Sequence, residues 1–314
     1  MTAPDDTAPV DTEPANPLPA NPLPADTAPA WFREAVAAPV VTGAVTVEGC
    51  RIAYRRWGDE GDPAVVLVHG GGAHARWWDH VGPLLADGRT VVAFDMSGHG
   101  DSGRRDRYTV GHWAAELLEI CGKTSHRERP VVVAHSMGGQ AAVAAAIRDS
   151  DAMKAVVLVD TAIRELPPEE AAAMAGNAFG PLKHYATAEE ALARFRTIPD
   201  QPTSLPYVVD HVARTSLRRT GDGWTWKFDP AFVTVADRPD PSTLAQIRCR
   251  FALLRAQYGL ITPDMDDLFR LHLAAERILV DIPEAWHHVM FDQPLSLVTA
   301  VRTLLATWRH GGRP

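Results

Sequence analysis

The chain has 314 residues, a net charge of −8 at pH 7, 46% hydrophobic residues and nine tryptophans. That acidic balance leaves no basic stripe to neutralise phosphates, so nucleic acid and an anionic membrane surface are excluded as expected partners. The length suits one large α/β domain or such a domain with an inserted lobe.

Residues 1–30 form a low-complexity tail with a tandem Ala-Asn-Pro-Leu-Pro. Its eight prolines and five acidic side chains predict an extended, solvated segment, with a proline-rich recognition motif as the alternative. No Lys or Arg precedes Arg33 and no apolar h-region follows, so a secretory signal is not expected. Nor does any later segment reach the roughly 18 uninterrupted apolar residues of a membrane span. Cys50, Cys121 and Cys249 are far apart and fit neither a metal spacing nor a disulfide framework. They read as buried thiols in a reducing compartment, and a cytoplasmic location is the expectation.

From residue 44 a rhythm sets in. Ala44–Val47 and Arg51–Trp57 read as a hairpin around Glu48-Gly49-Cys50. Ala64–Val68, Thr90–Phe94, Val131–Ala134 and Ala155–Val159 are short apolar runs separated by helix-like stretches. Phe251–Leu254, Arg277–Val280 and an amphipathic helix over Leu295–Trp308 follow. Continuous Val/Leu/Ile runs are the mark of parallel strands covered on both faces, and strand–helix alternation predicts a doubly wound, mostly parallel α/β sheet. Residues 166–240 break the rhythm with three helical stretches (Pro168–Ala175, Thr187–Thr197, Tyr207–Leu217) and then "GDGWTWKFDP". They read as a mainly helical cap, inserted into a core of 31–165 and 241–314.

Three local signals carry chemistry. Ala134-His135-Ser136-Met137-Gly138 places a serine between a buried strand and an alanine-rich helix. A nucleophile on so tight a turn needs small residues two before and two after it, and Ala134 and Gly138 supply them. His69-Gly70-Gly71-Gly72 follows the strand Ala64–Val68. Its glycines allow a backbone N–H, taken as that of Gly71, to face a developing oxyanion, with the Met137 N–H as second donor. The competing readings are a plain glycine turn, or a phosphate loop, which lacks the Gly-Lys-Ser/Thr it needs. The third signal, Trp286-His287-His288, lies between the last strand and the last helix, where a general base following the nucleophile in chain order would stand. The other eleven histidines show no metal-ligand spacing, and no metal or cofactor is expected.

The segments "VVLVHGGG", "VVAFDMSGHGDSG", "PVVVAHSMGG", "AVVLVD" and "HHVMFDQP" together resemble the α/β-hydrolase superfamily, of the alpha/beta hydrolase-1 type with a cap. The resemblance spans about residues 44–310 and implies an α/β-hydrolase fold. It also selects His287 as the base, since the family's histidine stands seven residues before the proline of its last motif, here Pro294. The family's usual acid would fall near Gly259, which is a departure. The acid is then Asp160, at the end of "AVVLVD", or Asp264, which looks like the start of a helix. Asp95 resembles a structural turn residue.

The resemblance and the serine together imply a hydrolase acting through an acyl-enzyme on a small, largely apolar ester, lactone or thioester. Gly70, Gly72, Trp77, Trp78 and Trp224 are the expected substrate contacts; Trp77, Trp78, Trp224 and Trp226 suggest an apolar pocket between cap and core, with ordinary packing as the other reading of the tryptophans. Arg76 reads as a solvent-facing residue, with a substrate carboxylate as its alternative partner. The other activities weighed are C–C bond hydrolysis of a ring-cleavage product, a lyase- or cyclase-like step, and non-catalytic ligand binding.

Overall fold

A computed structural model describes residues 28–59, 64–124, 128–164, 181–221, 223–235, 237–273 and 277–310. The expected tail up to residue 27 and the expected helix Pro168–Ala175 lie outside them. The elements are α1 (Ala30–Val36), β1 (Val41–Val47), β2 (Cys50–Trp57), β3 (Ala64–Val68), α2 (Gly82–Leu85), β4 (Thr90–Phe94), α3 (Val110–Thr124), β5 (Val131–His135), α4 (Met137–Arg148) and β6 (Ala155–Val159). Then come α5 (Ala188–Leu192), α6 (Pro206–Thr215), β7 (Leu217–Thr220) and β8 (Gly223–Trp226). The chain returns to the sheet with β9 (Arg250–Tyr258), α7 (Pro263–His272), β10 (Arg277–Trp286), α8 (Val289–Asp292) and α9 (Pro294–His310).

Among the described residues the main sheet has eight strands in the order β1-β2-β4-β3-β5-β6-β9-β10. The pairs β1–β2 and β2–β4 are antiparallel, and the rest are parallel. Every residue of β3, β4, β5 and β6 is buried, which is why these runs carry Val, Leu and Ala on both faces without alternation. One face packs on α3, α4 and α7 through Trp113, Leu117, Ala142 and Phe269. The opposite face packs on α1, α2 and α9 through Phe32, Leu85, Val301 and Trp308.

The strands Ala64–Val68, Thr90–Phe94 and Ala155–Val159 fall where the sequence puts them. The two at the far edge are longer than their apolar runs, reaching Tyr258 and Trp286. Beyond the runs these strands are held by ladder hydrogen bonds, with half of β10 or less buried, so hydrophobicity does not mark their ends. The connection from β6 to β9 holds a difference of kind. The expected helix Tyr207–Leu217 is α6, but "GDGWTW" continues into a β7–β8 hairpin rather than more helix. Aromatic and β-branched residues around a Gly-Asp pair favour that hairpin.

Candidate active site

The parallel order β3-β5-β6-β9 sets the ends of four adjacent strands on one edge, the edge where open α/β sheets present their sites. Ser136 follows β5 directly, at φ 52° and ψ −123°. That left-handed backbone is held by its N–H donating to Val159 O (3.2 Å) and its carbonyl accepting from Thr161 Oγ1 (3.2 Å). The turn is tight because α4 lies hard against the strand ends. A Cβ on Gly138 would stand 2.2 Å from His69 O, and one on Gly139 2.1 Å from Thr161 Oγ1. Glycine is therefore a packing requirement at both positions.

His287 follows β10 and is 3% exposed. Its Nε2 lies 2.9 Å from Ser136 Oγ and its Nδ1 lies 2.7 Å from Asp160 Oδ2. With Nδ1–H donating to the carboxylate, Nε2 bears the lone pair that accepts from the serine hydroxyl. Asp160, fully buried at the end of β6, also accepts from Leu260 N–H at 2.8 Å and from Ala256 N–H at 3.4 Å. Those donors come from the far end of β9 and the loop behind it, where Gly259 sits. A Cβ on Gly259 would stand 2.3 Å from either Asp160 carboxylate oxygen. Asp264 is exposed in the first turn of α7. A hydrogen bond to Thr262 lowers its pKa, and His287 takes its carboxylate partner from β6 instead.

The glycine loop after β3 closes over the serine. Cβ atoms built on Gly70 would stand 3.2 Å from Ser136 Cβ, and on Gly71 3.4 Å from Met137 Sδ. Gly70 O takes a hydrogen bond from His69 Nδ1–H (2.7 Å) and another from Ala73 N–H (3.3 Å). Because the peptide is trans, this turns the Gly71 N–H the opposite way. Met137 is the first residue of α4, so its N–H belongs to the helical turn that has no acceptor within the helix. Asp95 stands apart from this chemistry. It accepts from Ala75 N–H (2.6 Å) and Asp101 N–H (2.7 Å), and burial pushes its pKa up to about 6.

Two more imidazoles surround His287. His135 Nε2–H donates to His287 O at 3.0 Å, and His288 Nε2–H donates to Pro199 O at 3.2 Å. Burial holds His135 neutral and pushes His288 down to about 3. Ring nitrogens of the three lie within 4.8 Å of one another, a grouping that no spacing in the sequence reveals. Both nitrogens of His287 are committed to Ser136 and Asp160, while Nδ1 of His135 and Nδ1 of His288 have no hydrogen-bond partner among the described residues. A metal ion would be held here only by taking His287 away from the serine.

A cavity of about 510 Å³ opens beside Gly71, Gly72 and Trp77, walled by Phe195, Trp226 and Phe228. Of the expected contacts, Gly72 and Trp77 line it. Gly70 lies instead against His135 and Ser136. Trp78 is 1% exposed in the core beneath. Trp224 pairs with Tyr185 and packs on Ala188, Ala191 and Leu217, so these two tryptophans lie in packed surroundings and outside the cavity lining. Trp226, two residues on and on the same face of β8, reaches the cavity wall. Arg76 pairs with Asp79 at 3.0 Å.

A model of the alpha/beta hydrolase family matches residues 65–301. Among curated proteins, Uncharacterized protein Rv2715 of Mycobacterium tuberculosis is 34% identical over 123 residues, which is 39% of this chain. The match spans 35% of that relative's length. Esterase Rv0045c of the same organism is 28% identical over 280 residues, covering 83% of this chain and 88% of that protein. Its crystal structure superposes with a TM-score of 0.71 at 23% identity, covering 88% and 97% of the two chains. E-2-(Acetamidomethylene)succinate hydrolase superposes at 0.74 with 18% identity, covering 85% and 100%. These last two likenesses concern the fold.

Proposed function

The chain belongs to the alpha/beta hydrolase family, and from this premise we propose that it is a hydrolase that cleaves a small, largely apolar ester, lactone or thioester through an acyl-enzyme on Ser136. The observation that carries the reading is the unbroken hydrogen-bond chain Ser136–His287–Asp160, at 2.9 and 2.7 Å. Ser136 Oγ attacks the carbonyl carbon while its proton passes to His287 Nε2. Asp160 keeps the imidazole in the required tautomer and stabilises the imidazolium. The N–H groups of Gly71 and Met137 receive the oxyanion, each worth about 2.7–4 kcal/mol of barrier. Collapse expels the alcohol or thiol, which takes the proton back from Nε2. Water, deprotonated by the same nitrogen, then releases the acid.

A serine at this position forms an acyl ester, whereas the fold's epoxide and haloalkane chemistries need a carboxylate nucleophile. The relative described as an esterase supports an ester over a carbon–carbon bond. The segment between β6 and β9 is read as the cap of the cavity, since it contributes Phe195, Trp226 and Phe228 to the wall. The test is intact-mass analysis after treatment with a fluorophosphonate. Wild type is expected to gain one adduct, Ser136→Ala none, and His287→Ala to label far more slowly. Folded wild type that stays unlabelled would remove the acyl-enzyme and leave a binding or non-covalent role.

A further inference from the structure

The cavity that begins at Gly71 and Gly72 is apolar at the glycine loop and cationic toward the segment 181–198. Its lining carries Lys183, Arg194, Arg196 and Lys227, and no aspartate or glutamate among the described residues. In a chain of net charge −8 this is a local reversal of sign. Lys227 is neutralised by Asp101 at 2.8 Å. His74, also on the wall, is kept neutral by burial and bonds Ser216 Oγ at 2.8 Å. Lys183, Arg194 and Arg196 are different. All three are exposed, and among the described residues no carboxylate pairs with any of them. Arg196 donates to the neighbouring Phe195 O, at 2.6 Å.

We infer that the hydrolysed ester or thioester carries an anionic group, a carboxylate or a phosphate, which these three side chains receive while the apolar portion lies against Trp77, Phe195 and Trp226. The inference rests on the acyl-enzyme reading of the site. A guanidinium presents a planar fork of donors that matches carboxylate and phosphate oxygens, and positive charge above low-dielectric walls concentrates the field in the cleft. Ion pairs elsewhere on the surface, such as Arg129–Asp151 and Arg302–Asp87, show the ordinary arrangement that these three side chains lack among the described residues.

The test uses two matched substrate pairs on the full chain. Mono-para-nitrophenyl suberate against para-nitrophenyl octanoate places the charge on the acyl side. Octanoyl-coenzyme A against octanoyl-N-acetylcysteamine places phosphate on the thiol side. The anionic member of one pair is expected to be favoured by about tenfold in kcat/KM, chiefly through KM, with the preference shrinking at high salt. Which pair shows it identifies the anion. In Arg194→Gln/Arg196→Gln the ratio should fall towards one, and in Arg194→Glu/Arg196→Glu it should invert.

A second readout separates this inference from the hydrolytic one. Binding of the same compounds to Ser136→Ala, followed by the fluorescence of Trp77 and Trp226, needs no turnover. A binding preference for the anions without turnover of any substrate by wild type would sink the hydrolytic reading and keep the anion site. Equal use and equal binding of charged and neutral partners, or a preference untouched by the double variant, would overturn the anion site.

Discussion

Asp160 and Gly259 compete for one space. Each Asp160 carboxylate oxygen would lie 2.3 Å from a Cβ at position 259, so a side chain there and a carboxylate at 160 exclude one another. The two positions lie at the ends of neighbouring strands, β6 and β9. Asp160→Asn is expected to lower kcat by about 10⁴, because the neutral amide neither fixes the tautomer nor stabilises the imidazolium. Asp264→Asn should leave kcat where it was. Gly259→Ala should lower kcat by pushing the carboxylate off Nδ1. The exchange Asp160→Gly/Gly259→Asp should turn over faster than Asp160→Asn, since it returns a carboxylate to the imidazole from the other strand. Glycine suits φ 42° at position 160. Steady-state kinetics on the four variants checks the set. An inactive exchange variant that still folds would mean the β9 loop does not present an acid to His287.

The helix α4 positions Ser136, the proposed nucleophile. Ala141, Ala142, Ala145 and Ala146 are fully buried, and small residues at helical spacing let the helix axis approach β3 and β6. Gly138 is where that approach meets backbone, the His69 carbonyl. Gly138→Ala would drive a methyl group to 2.2 Å from His69 O, forcing the first turn of α4 to lift. A stability loss of about 1–3 kcal/mol is expected, the range for overpacking. Fluorophosphonate labelling should slow as well, because the Met137 N–H and Ser136 move with that turn. Thermal unfolding and labelling rate, measured on the same preparation, would separate the two effects. Loss of stability with unchanged labelling would mean that the helix start is not what sets the nucleophile.

Across the molecule, Asp79 ties the inserted segment to the core. Its carboxylate, 4% exposed, takes Arg55 from β2, Arg76 from the turn after the glycine loop and His211 from α6, each at 3.0 Å. Burial works to raise its pKa, but His211, Arg55 and Arg76 outweigh it and bring it down to about 2. A folded pKa below the unfolded one gives stability that is present above about pH 4 and is lost as pH falls towards 2. Asp79→Asn should cost about 3 kcal/mol at neutral pH, since it strands a partly buried guanidinium. It should also flatten the decline between pH 4 and pH 2 in urea unfolding curves. Asp95 and Asp292 act in the opposite sense. Burial pushes both up to about 6, so their contribution weakens as pH rises from about 4 to 6 and their protons leave.

Position along the chain settled much of this protein. Ala64–Val68, Thr90–Phe94 and Ala155–Val159 were legible to the residue because strands buried on both faces must be apolar throughout, a property of each segment alone. Ser136 was legible for a similar reason: small neighbours and a strand–helix junction are local. Convergence in space was not. The partner of His287 depends on β6 lying beside β5 and β9, an adjacency no single segment encodes, so Asp160 and Asp264 stood as rivals until the sheet order separated them. His135 and His288 meet because β5 and the loop after β10 end on one edge. Trp224 and Trp226 share one face of β8, and packing against Tyr185 and Phe195 from the preceding segment brings Trp226 to the cavity wall. The cationic wall joins Lys183, Arg194 and Arg196 to Gly71, more than a hundred residues away. Local sequence sets which backbone forms where burial is uniform. Long-range packing sets which side chains face one another, because that energy is counted between segments and not within them.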